Sequence, residues 1–289
     1  MFKKKKDQTY QSYWSISWNI FKKNKVAMVC LFIVIFLCLI ALFAPLIAPY
    51  DPNKQVLTDR LMKPCGQHWF GTDDLGRDIF SRIIYGCRVS LSVGIISQII
   101  ATVIGYTMGV CAGYFGGKVD SVISFLIQVF SSFPFLLFAM AIMFVLGPGL
   151  INLYLALGLL GWASTARLIR GDVMRLKKME YIDACKVSGG NSFRIIMKHL
   201  LPNCLSTLIV TVTLGIPNAI MSEASLSFLG LGVKAPMASW GSMISFSQPY
   251  IRSATYYSVI PGLAIIITVL AFNMLGDGLR DALDPKLRS

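Results

Sequence analysis

Side chains that could carry catalysis or hold a metal are few in this sequence and poorly placed for either task. His68 and His199 are the only histidines, and both lie outside the long apolar stretches. The 7 cysteines form no CxxC pair, so their spacing does not indicate a zinc or redox site. The apolar stretches contain no Ser–His or paired-Asp arrangement, which argues against an intramembrane hydrolase. We therefore expect no catalytic residues and no metal site on this chain.

Nucleotide chemistry is not indicated either. A phosphate-binding loop has the pattern GxxxxGK[ST], and no match occurs in the 289 residues. We therefore expect this chain to bind no cofactor. Any ATP and magnesium that its activity requires would have to be bound by a partner polypeptide.

One ionisable side chain invites a functional interpretation because it stands beside a membrane segment. Glu223 follows the uncharged block 200–222. At 1.5 Å per residue it lies about 31 Å along a helix from Pro202, near the outer surface of a bilayer. An ionisable residue in such a place is a candidate outer gate or substrate contact. The alternative is a hydrogen-bonded carboxylate that stabilises the following outer loop.

Long uncharged apolar stretches of the sequence, called blocks below, must form the helices that position residues such as Glu223. Hydrophobic residues make up 55% of the chain and charged residues 14%, against about 25% charged in soluble domains. The blocks without any charge are 26–50, 89–117, 121–166, 200–222 and 253–276. A span needs roughly 20 apolar residues, so block 121–166 is long enough for two, with a turn at Gly147 and a kink at Pro134. Because lipid cannot satisfy backbone hydrogen bonds, we predict an all-α integral membrane protein with six transmembrane helices.

The basic residues are distributed unevenly about these spans. If the N-terminus is cytoplasmic, 19 of the 27 Lys and Arg residues lie inside. This positive-inside bias predicts that both termini are cytoplasmic. Anionic membrane lipid then accounts for the net charge of +13, and no nucleic acid partner is needed.

Blocks and charges together predict the organisation of the chain. The segments are a basic cytoplasmic tail (1–25), a first transmembrane helix (26–48), an extracytoplasmic loop with an interfacial helix (49–87), a five-helix core that includes a cytoplasmic loop at 171–202 (88–276), and a cytoplasmic tail (277–289).

The interfacial helix is predicted from the residues just before the second block. Apolar side chains recur there on one helical face, and the other face carries Arg77, Asp78, Ser81, Arg82 and Arg88. Such a helix would lie at the membrane surface and lead into the second span.

Two of the cysteines, Cys65 and Cys87, fall on the same outer side of the predicted topology. The sequence does not decide whether they form a disulfide or remain two free thiols.

A basic amphipathic segment, 175–203, separates the fourth and fifth predicted spans. Its first half repeats apolar residues at helical spacing, at Leu176, Met179, Ile182 and Cys185. The second half does the same at Phe193, Ile196, Met197, Leu200 and Leu201. Two short cytoplasmic helices are therefore expected.

Turn residues divide the segment. Gly189 and Gly190 can take the left-handed conformation that ends a helix, and Asn191 or Ser192 can cap the next one. Pro202 is expected to end the pair and open the fifth span. Such a helical pair offers a surface for another protein to hold, and an amphipathic hairpin resting on anionic lipid is the alternative.

The sequence of this segment resembles the pattern EAA-x3-G-x9-I-x-L-P of permease subunits in bacterial ABC importers for dipeptides, oligopeptides and nickel. The triplet aligns with Asp183, Ala184 and Cys185, the glycine with Gly189, and the end with Leu201 and Pro202. Asp183, Cys185 and His199 stand where the family has Glu, Ala and Ile.

Two further stretches resemble the second, C-type subunit of the permease pair. They are FGTDDLGRDIFSRIIYG at 70–86 and EASLSFLGLGVKAPMASWG at 223–241.

The resemblance implies a type I ABC importer permease fold in the bacterial plasma (inner) membrane. Implied partners are a second homologous permease, two ABC ATPase subunits, an extracytoplasmic substrate-binding protein and membrane lipids. Loop 171–202 would couple the chain to the ATPase through these residues: Glu180, Asp183, Ala184, Cys185, Gly189, Leu201 and Pro202.

The cargo implied by the resemblance is peptide, with nickel or another metal chelate as the alternative. A secondary transporter driven by an ion gradient would typically show midplane ionisable residues and internal repeats. Neither is evident in this sequence.

Overall fold

The computed structural model describes residues 13–284, and this part of the chain is built from helices. The helices are α1 (Tyr13–Lys23), α2 (Lys25–Leu42), α3 (Ala44–Ile47), α4 (Ile79–Phe115), α5 (Gly117–Ser132), α6 (Phe135–Leu146), α7 (Leu150–Leu176), α8 (Glu180–Val187), α9 (Ser192–Ile195), α10 (Leu201–Phe228), α11 (Trp240–Ser247) and α12 (Thr255–Leu283). A π-helical stretch, Ile196–Leu200, joins α9 to α10. The described residues form no β-strand, in agreement with the predicted all-α class.

Four helical segments in the described chain are long and apolar enough to cross a membrane: α2, α4, the continuous run Ser192–Phe228, and α12. Counting the bent pair of α5 and α6 as one span gives five. The 27-residue α7 is not among them, since Asn152, Ser164, Thr165 and Arg167 lower its apolar character. By length and composition, this part of the chain therefore contains four or five candidate spans, fewer than the six predicted.

The chain bends at Pro134 as predicted, but the bend is a complete break between two helices and not a kink within one. Phe133 has ψ 139° and Pro134 has ψ 122°, so both are extended and α5 and α6 meet at 91°. A proline disfavours helical backbone in the residue before it. Two adjacent extended residues then turn the chain through a right angle.

The predicted interfacial helix is also not a separate element. It forms the first turns of α4, whose 37 residues span about 55 Å, well beyond a hydrocarbon core of about 30 Å. Nothing near Arg88 interrupts the backbone hydrogen bonding, so the predicted boundary between 87 and 88 lies inside the helix. Four residues expected on its polar face are buried: Arg77, Asp78, Ser81 and Arg82.

A row of glycines allows α4 and α7 to pack closely. Gly105, Gly109 and Gly113 recur every four residues on α4. An added Cβ would lie 2.7 Å from the Ala166 carbonyl oxygen at Gly109 and 2.9 Å from the Arg170 carbonyl oxygen at Gly113. Only the absence of side chains permits this separation, as in other small-residue contacts between membrane helices.

Both predicted tails contain helix. α1 lies within predicted tail 1–25 and buries Phe21, which is 3% exposed and packs beside Ala271 and Leu275 of α12. α12 itself continues to Leu283, so the last helix extends into predicted tail 277–289. The remainder of the two tails, 1–12 and 285–289, lies outside the described residues.

Candidate functional site

A cavity of about 1680 Å³ follows α10 along most of its length. Residues of α10 line it from Pro202 to Ser225, about 35 Å along the helix axis at 1.5 Å per residue. That distance matches the hydrocarbon thickness of a bilayer. The other walls come from α7, the corner between α5 and α6, part of α4, and the end of α12.

Hydroxyl and amide side chains form a stripe along the α10 wall. The polar lining residues are Asn203, Ser206, Thr207, Thr211, Asn218, Ser222 and Ser225. Several donate to a carbonyl one turn earlier, as Ser222 does to Asn218 at 2.7 Å and Thr211 to Thr207 at 2.7 Å. These bonds satisfy the hydroxyl hydrogen while the oxygen lone pairs remain free to accept.

Two polar residues of α4 face this stripe. Gln98 lies against the bare backbone of Gly215, because an added Cβ there would be 2.1 Å from Gln98 Oε1. The Gln98 amide donates to Thr102 at 3.2 Å. Beside it, Ser97 lines the cavity, is 2% exposed, and its hydroxyl has no hydrogen-bond partner in the described chain. The cavity wall therefore holds polar groups at several depths.

Charged side chains line the cavity at one end. Among described residues these are Arg175 at the end of α7, and Arg280 and Asp284 at the end of α12. The same end holds the start of α10 and the α8–α9 pair, and we call it the α8 end. The longer part of the cavity is lined by neutral side chains.

Glu223 is buried beside the cavity and does not line it. Its carboxylate is 0% exposed, and Oε1 accepts 2.6 Å hydrogen bonds from the hydroxyls of Ser227 and Ser239. Ser239 is the N-cap of α11 and forms a capping box with Ser242. Of the two sequence-based interpretations, this geometry matches the carboxylate that stabilises the loop after α10.

The turn between α8 and α9 has the predicted geometry. Gly189 has φ +80°, and the Gly190 N–H donates to the Cys185 carbonyl at 2.9 Å. This is the six-to-one bond of a Schellman motif, which requires a left-handed residue after the helix. Asn191 then caps α9 by accepting from the Arg194 N–H at 2.8 Å.

Apolar side chains fix the α8–α9 pair to the long helices. Ile182, Ile195 and Leu200 are at most 1% exposed. They share a core cluster with Val173 of α7 and Cys204 of α10, which also includes Val110 of α4. The pair is therefore attached to three long helices through buried contacts.

Part of the predicted apolar stripe is wrong in register. Phe193 is 71% exposed and Met197 is 45% exposed, whereas Ile195 and Leu200 are buried. Ile195 and Leu200 are five residues apart across the π-helical stretch, whose turns are wider than those of an α-helix, so the buried face does not follow α-helical spacing.

Pro202 does not end the pair, since the helix is continuous from Ser192 to Phe228. Before it, the Leu201 N–H donates to the Ile196 carbonyl, five residues back. Pro202 lacks an N–H and stands in the first turn of α10, where this absence is tolerated.

Most residues predicted to couple the chain to an ATPase are accessible. Glu180, Asp183, Ala184, Gly189 and Pro202 are exposed, and Cys185 and Leu201 are half-buried.

A further apolar residue, Val187, is 90% exposed at the end of α8. Sequence periodicity did not single it out, because an isolated valine after a helical repeat carries no signal of exposure.

A buried ionic cluster lies at the opposite end, in the first of the two stretches that resemble the C-type subunit. Asp73 Oδ2 is 2.6 Å from Arg77 Nε and 3.4 Å from Arg82 Nε. Asp73 also accepts from the backbone N–H groups of Leu75 and Arg77, each at 2.9 Å. Arg82 donates to the Pro52 carbonyl at 2.9 Å, which ties the loop before α4 to the helix. Because Arg77 and Arg82 pair with Asp73, these two side chains are buried although the sequence predicted that they face outward.

The nearby cysteines are not paired. Cys65 is exposed and Cys87 is buried, and both are free thiols. Cys87 lies within 3.5 Å of the Leu37 carbonyl oxygen of α2. The disulfide alternative is therefore not formed in this structure.

Comparison with known protein families matches residues 101–289 to the family described as binding-protein-dependent transport system inner membrane component. Residues 12–64 match the N-terminal TM domain of oligopeptide transport permease C. The chain belongs to this permease family. Its members are membrane subunits of ABC importers and are not enzymes themselves, because the ATPase is a separate subunit.

Curated relatives of this permease are similar over nearly the whole chain. It is 46% identical over 278 residues to the dipeptide transport system permease protein of Bacillus subtilis, covering 96% of this chain and 87% of the relative. It is 42% identical to the oligopeptide transport system permease protein of the same organism, covering 96% and 91%. It is 41% identical to the glutathione transport system permease protein of Pectobacterium atrosepticum, covering 98% and 95%. The nickel alternative finds no support among these relatives.

Solved structures support the fold of this permease. A chain of the inward-facing MetNI methionine ABC transporter superposes with a TM-score of 0.58 at 19% identity. The match covers 71% of the present chain and 98% of the solved one. A second crystal form of that transporter gives a TM-score of 0.56 at 20% identity. The predicted type I ABC importer permease fold is confirmed at this level.

Proposed function

We propose that this permease imports di- and oligopeptides, and that the cavity along α10 is its half of the translocation path. A second homologous permease supplies the other half, two ABC ATPases bind and hydrolyse ATP with magnesium, and an extracytoplasmic binding protein delivers the peptide. The cargo is inferred from relatives named for dipeptides, oligopeptides and glutathione, which is itself a tripeptide.

One observation carries the proposal: the cavity wall and the α8–α9 pair share a single helical segment. The helix Ser192–Phe228 begins in the pair and continues as the α10 wall. Because Ile182 and Ile195 bury the pair against α7 and α10, it cannot move independently of them. A displacement of the pair by an ATPase would therefore be transmitted to the lining of the path.

The proposed topology has six spans with both termini in the cytoplasm. It counts the bent pair as one span and includes α7, whose 27 residues extend about 40 Å. At the α8 end of α7, Arg170 pairs with Asp120 of α5, and Lys177 donates to the Tyr114 carbonyl at 2.5 Å. Basic residues at this end favour its placement in the cytoplasm.

The exposed face of the α8–α9 pair is proposed to dock into a groove of the ATPase. Val187 and Phe193 supply exposed apolar side chains, while Glu180 and Asp183 supply negative charge. Asp183 pairs with Lys186 at 2.7 Å, so the exposed face carries both signs of charge. The alternative, a hairpin resting on anionic lipid, is favoured by the basic residues but would also bring these carboxylates toward negative headgroups. A protein partner with an apolar groove and basic groups would bind both the exposed apolar side chains and the carboxylates.

Co-purification and reconstitution test this proposal. A tagged chain should bring down a second permease and two ATPases, and the complex in liposomes should accumulate a dipeptide only with ATP and binding protein. The chain reconstituted alone should do neither. Uphill transport or ATP hydrolysis by the isolated chain would refute the proposal, as would a complex that transports no peptide.

A further inference from the structure

The α10 wall of the cavity carries no charge, although α10 does contain one ionisable acid. Glu223 stands directly after the lining residue Ser222. Its side chain is fully buried and held by Ser227 and Ser239 on the side away from the cavity lining. The only carboxyl group of this helix is therefore withdrawn from the path.

The facing walls are also neutral where they oppose the middle of α10. From α4 the lining residues are Ser97 and Gln98, and from α7 they include Ser164 and Thr165. Ser97 is 2% exposed and its hydroxyl lacks a partner within the described chain, so a hydrogen-bonding group is left unsatisfied at this depth. A buried unpaired hydroxyl is costly, and a solute or water in the cavity would remove that cost.

Neutral hydroxyl and amide groups recognise peptides without regard to charge. They donate to carbonyls and carboxylates and accept from amides and ammonium groups, so each can serve any part of a peptide backbone. A fixed charge at the same depth would act differently, because charge–charge energies rise steeply where water is excluded.

We propose that, beyond the charged α8 end, the wall contributed by this chain contacts the peptide through neutral hydrogen bonds only, so that transit along this part of the path does not select by net charge. The contacts are assigned to the α10 stripe around Asn218 and Ser222 and to Ser97 and Gln98 opposite. This inference rests on the proposed peptide import. It assigns charge selection to other components, since the charged residues among the described lining, Arg175, Arg280 and Asp284, lie beyond this stripe at the α8 end and carry both signs.

The test measures transport rates in the complete reconstituted complex, with the binding protein saturated by each peptide in turn. Three tripeptides of equal length are used: neutral, with a central Glu, and with a central Lys. Maximal rates should agree within about threefold. A ratio above about tenfold between acidic and basic peptides would overturn the inference.

Asn218→Asp supplies the matched perturbation, because it adds a charge with almost no change in shape. Asn218 lines the cavity and is exposed, and within the described chain its amide donates to the Leu214 carbonyl at 3.1 Å. The acidic peptide should slow relative to the basic one by about tenfold. Asn218→Ser, the neutral control, should leave the ratio unchanged.

The outcomes separate the two proposals. A wild-type complex that transports none of the three peptides refutes peptide import, and this inference with it. Peptide transport with strong charge selection in the wild type overturns this inference alone. An unchanged ratio in an assembled Asn218→Asp complex also overturns it, since the substituted wall would then not contact the peptide.

Discussion

The hydroxyl of Ser239 donates a 2.6 Å hydrogen bond to Oε1 of Glu223 and joins the N-cap of α11 to the last turns of α10. Ser227 donates to the same oxygen at 2.6 Å. A buried carboxylate that accepts two hydroxyl bonds fixes the position of the connecting loop 229–239. The relationship assigns Glu223 a positioning role at the end of the path opposite α8.

Replacement of Glu223 should therefore cost stability before it alters transport. Glu223→Ala leaves two buried hydroxyls without an acceptor, which costs roughly 2–4 kcal/mol. Glu223→Gln retains an acceptor oxygen but puts amide N–H groups where Oε2 has no hydrogen-bond partner, so it should cost roughly 1–3 kcal/mol. Thermal unfolding of the purified complex measures both, and the Ala variant should melt roughly 5 °C or more below wild type.

Ser222→Ala is the control for this pair, because Ser222 lines the cavity and lies outside the network. Its melting temperature should stay close to wild type. If Glu223→Ala instead melts normally but abolishes uptake, Glu223 acts on the substrate or the gate, and the positioning role is wrong.

Gly189 should be sensitive to a branched side chain for conformational reasons alone. Its φ is +80°, and an added Cβ would meet nothing within 4 Å. Valine disfavours this region by about 1–2 kcal/mol, whereas asparagine tolerates it. Gly189→Val should weaken co-purification of the ATPase while membrane insertion stays normal, and Gly189→Asn should retain both. Normal assembly and uptake in the valine variant would count against the coupling role of the α8–α9 pair.

The exposed apolar residues of the α8–α9 pair should contribute to ATPase binding. Val187 is 90% exposed and Phe193 is 71% exposed. Burial of one such side chain is worth about 1.5–3 kcal/mol, and 1.4 kcal/mol is a factor of ten in affinity. The double change to serine should reduce ATPase affinity by more than about tenfold, as measured by titration of ATPase into the two purified permeases.

Phe115→Ser, at a 55% exposed position outside the α8–α9 pair, is the control and should bind the ATPase normally. Equal affinity in all three proteins would favour the lipid-resting alternative.

The buried ionic cluster should depend on Asp73 far more than on its neighbour Asp74. Asp73→Asn leaves Arg77 and Arg82 without the carboxylate that lies 2.6 Å and 3.4 Å away, and loss of one partner of a buried pair costs roughly 3–5 kcal/mol. Asp74 is 25% exposed and lies 3.8 Å from Arg77. It also accepts from the Tyr257 hydroxyl at 3.1 Å, a bond that asparagine can keep, so Asp74→Asn should cost less than about 1 kcal/mol. Thermal stability and membrane yield distinguish them, and similar losses for the two variants would contradict this account.

The glycine contact between α4 and α7 should not accept even one methyl group. A Cβ at Gly109 would lie 2.7 Å from the Ala166 carbonyl oxygen, and overpacking of this kind costs about 1–3 kcal/mol. Gly262 of α12 has nothing within 4 Å, so Gly262→Ala tests the same change without a clash. Gly109→Ala should lower the melting temperature and Gly262→Ala should not. Equal melting temperatures would show that the helices separate at little cost.

Local signals predicted the parts of the candidate site that depend on local chemistry. The glycine pair after α8 and the cap at Asn191 follow from residue type, since few residues adopt a left-handed conformation or cap a helix well. Polar residues spaced along the apolar block 200–222 also carried a signal, because their three-to-four-residue spacing puts them on one face. That spacing could have indicated the cavity wall before its partners were known.

Other features depended on contacts that no local pattern contains. The buried face after Asn191 shifts because a π-helical stretch precedes Pro202, and its register depends on packing against α7. The sequence pattern predicts that Arg82 faces outward, yet the residue is 1% exposed because the Asp73 carboxylate lies 3.4 Å from its Nε.

The sequence by itself determined that the chain is helical, resides in a membrane, and contains a capped helical pair between two apolar segments. Composition and turn residues decide these properties, since backbone hydrogen bonds in lipid must be satisfied within each segment. Only the tertiary structure decided that Glu223 turns away from the cavity, that the α8–α9 pair is continuous with the cavity wall, and that α5 and α6 meet at a right angle. The direction of a side chain in a membrane helix depends on which neighbour satisfies it, and that neighbour is distant in the sequence.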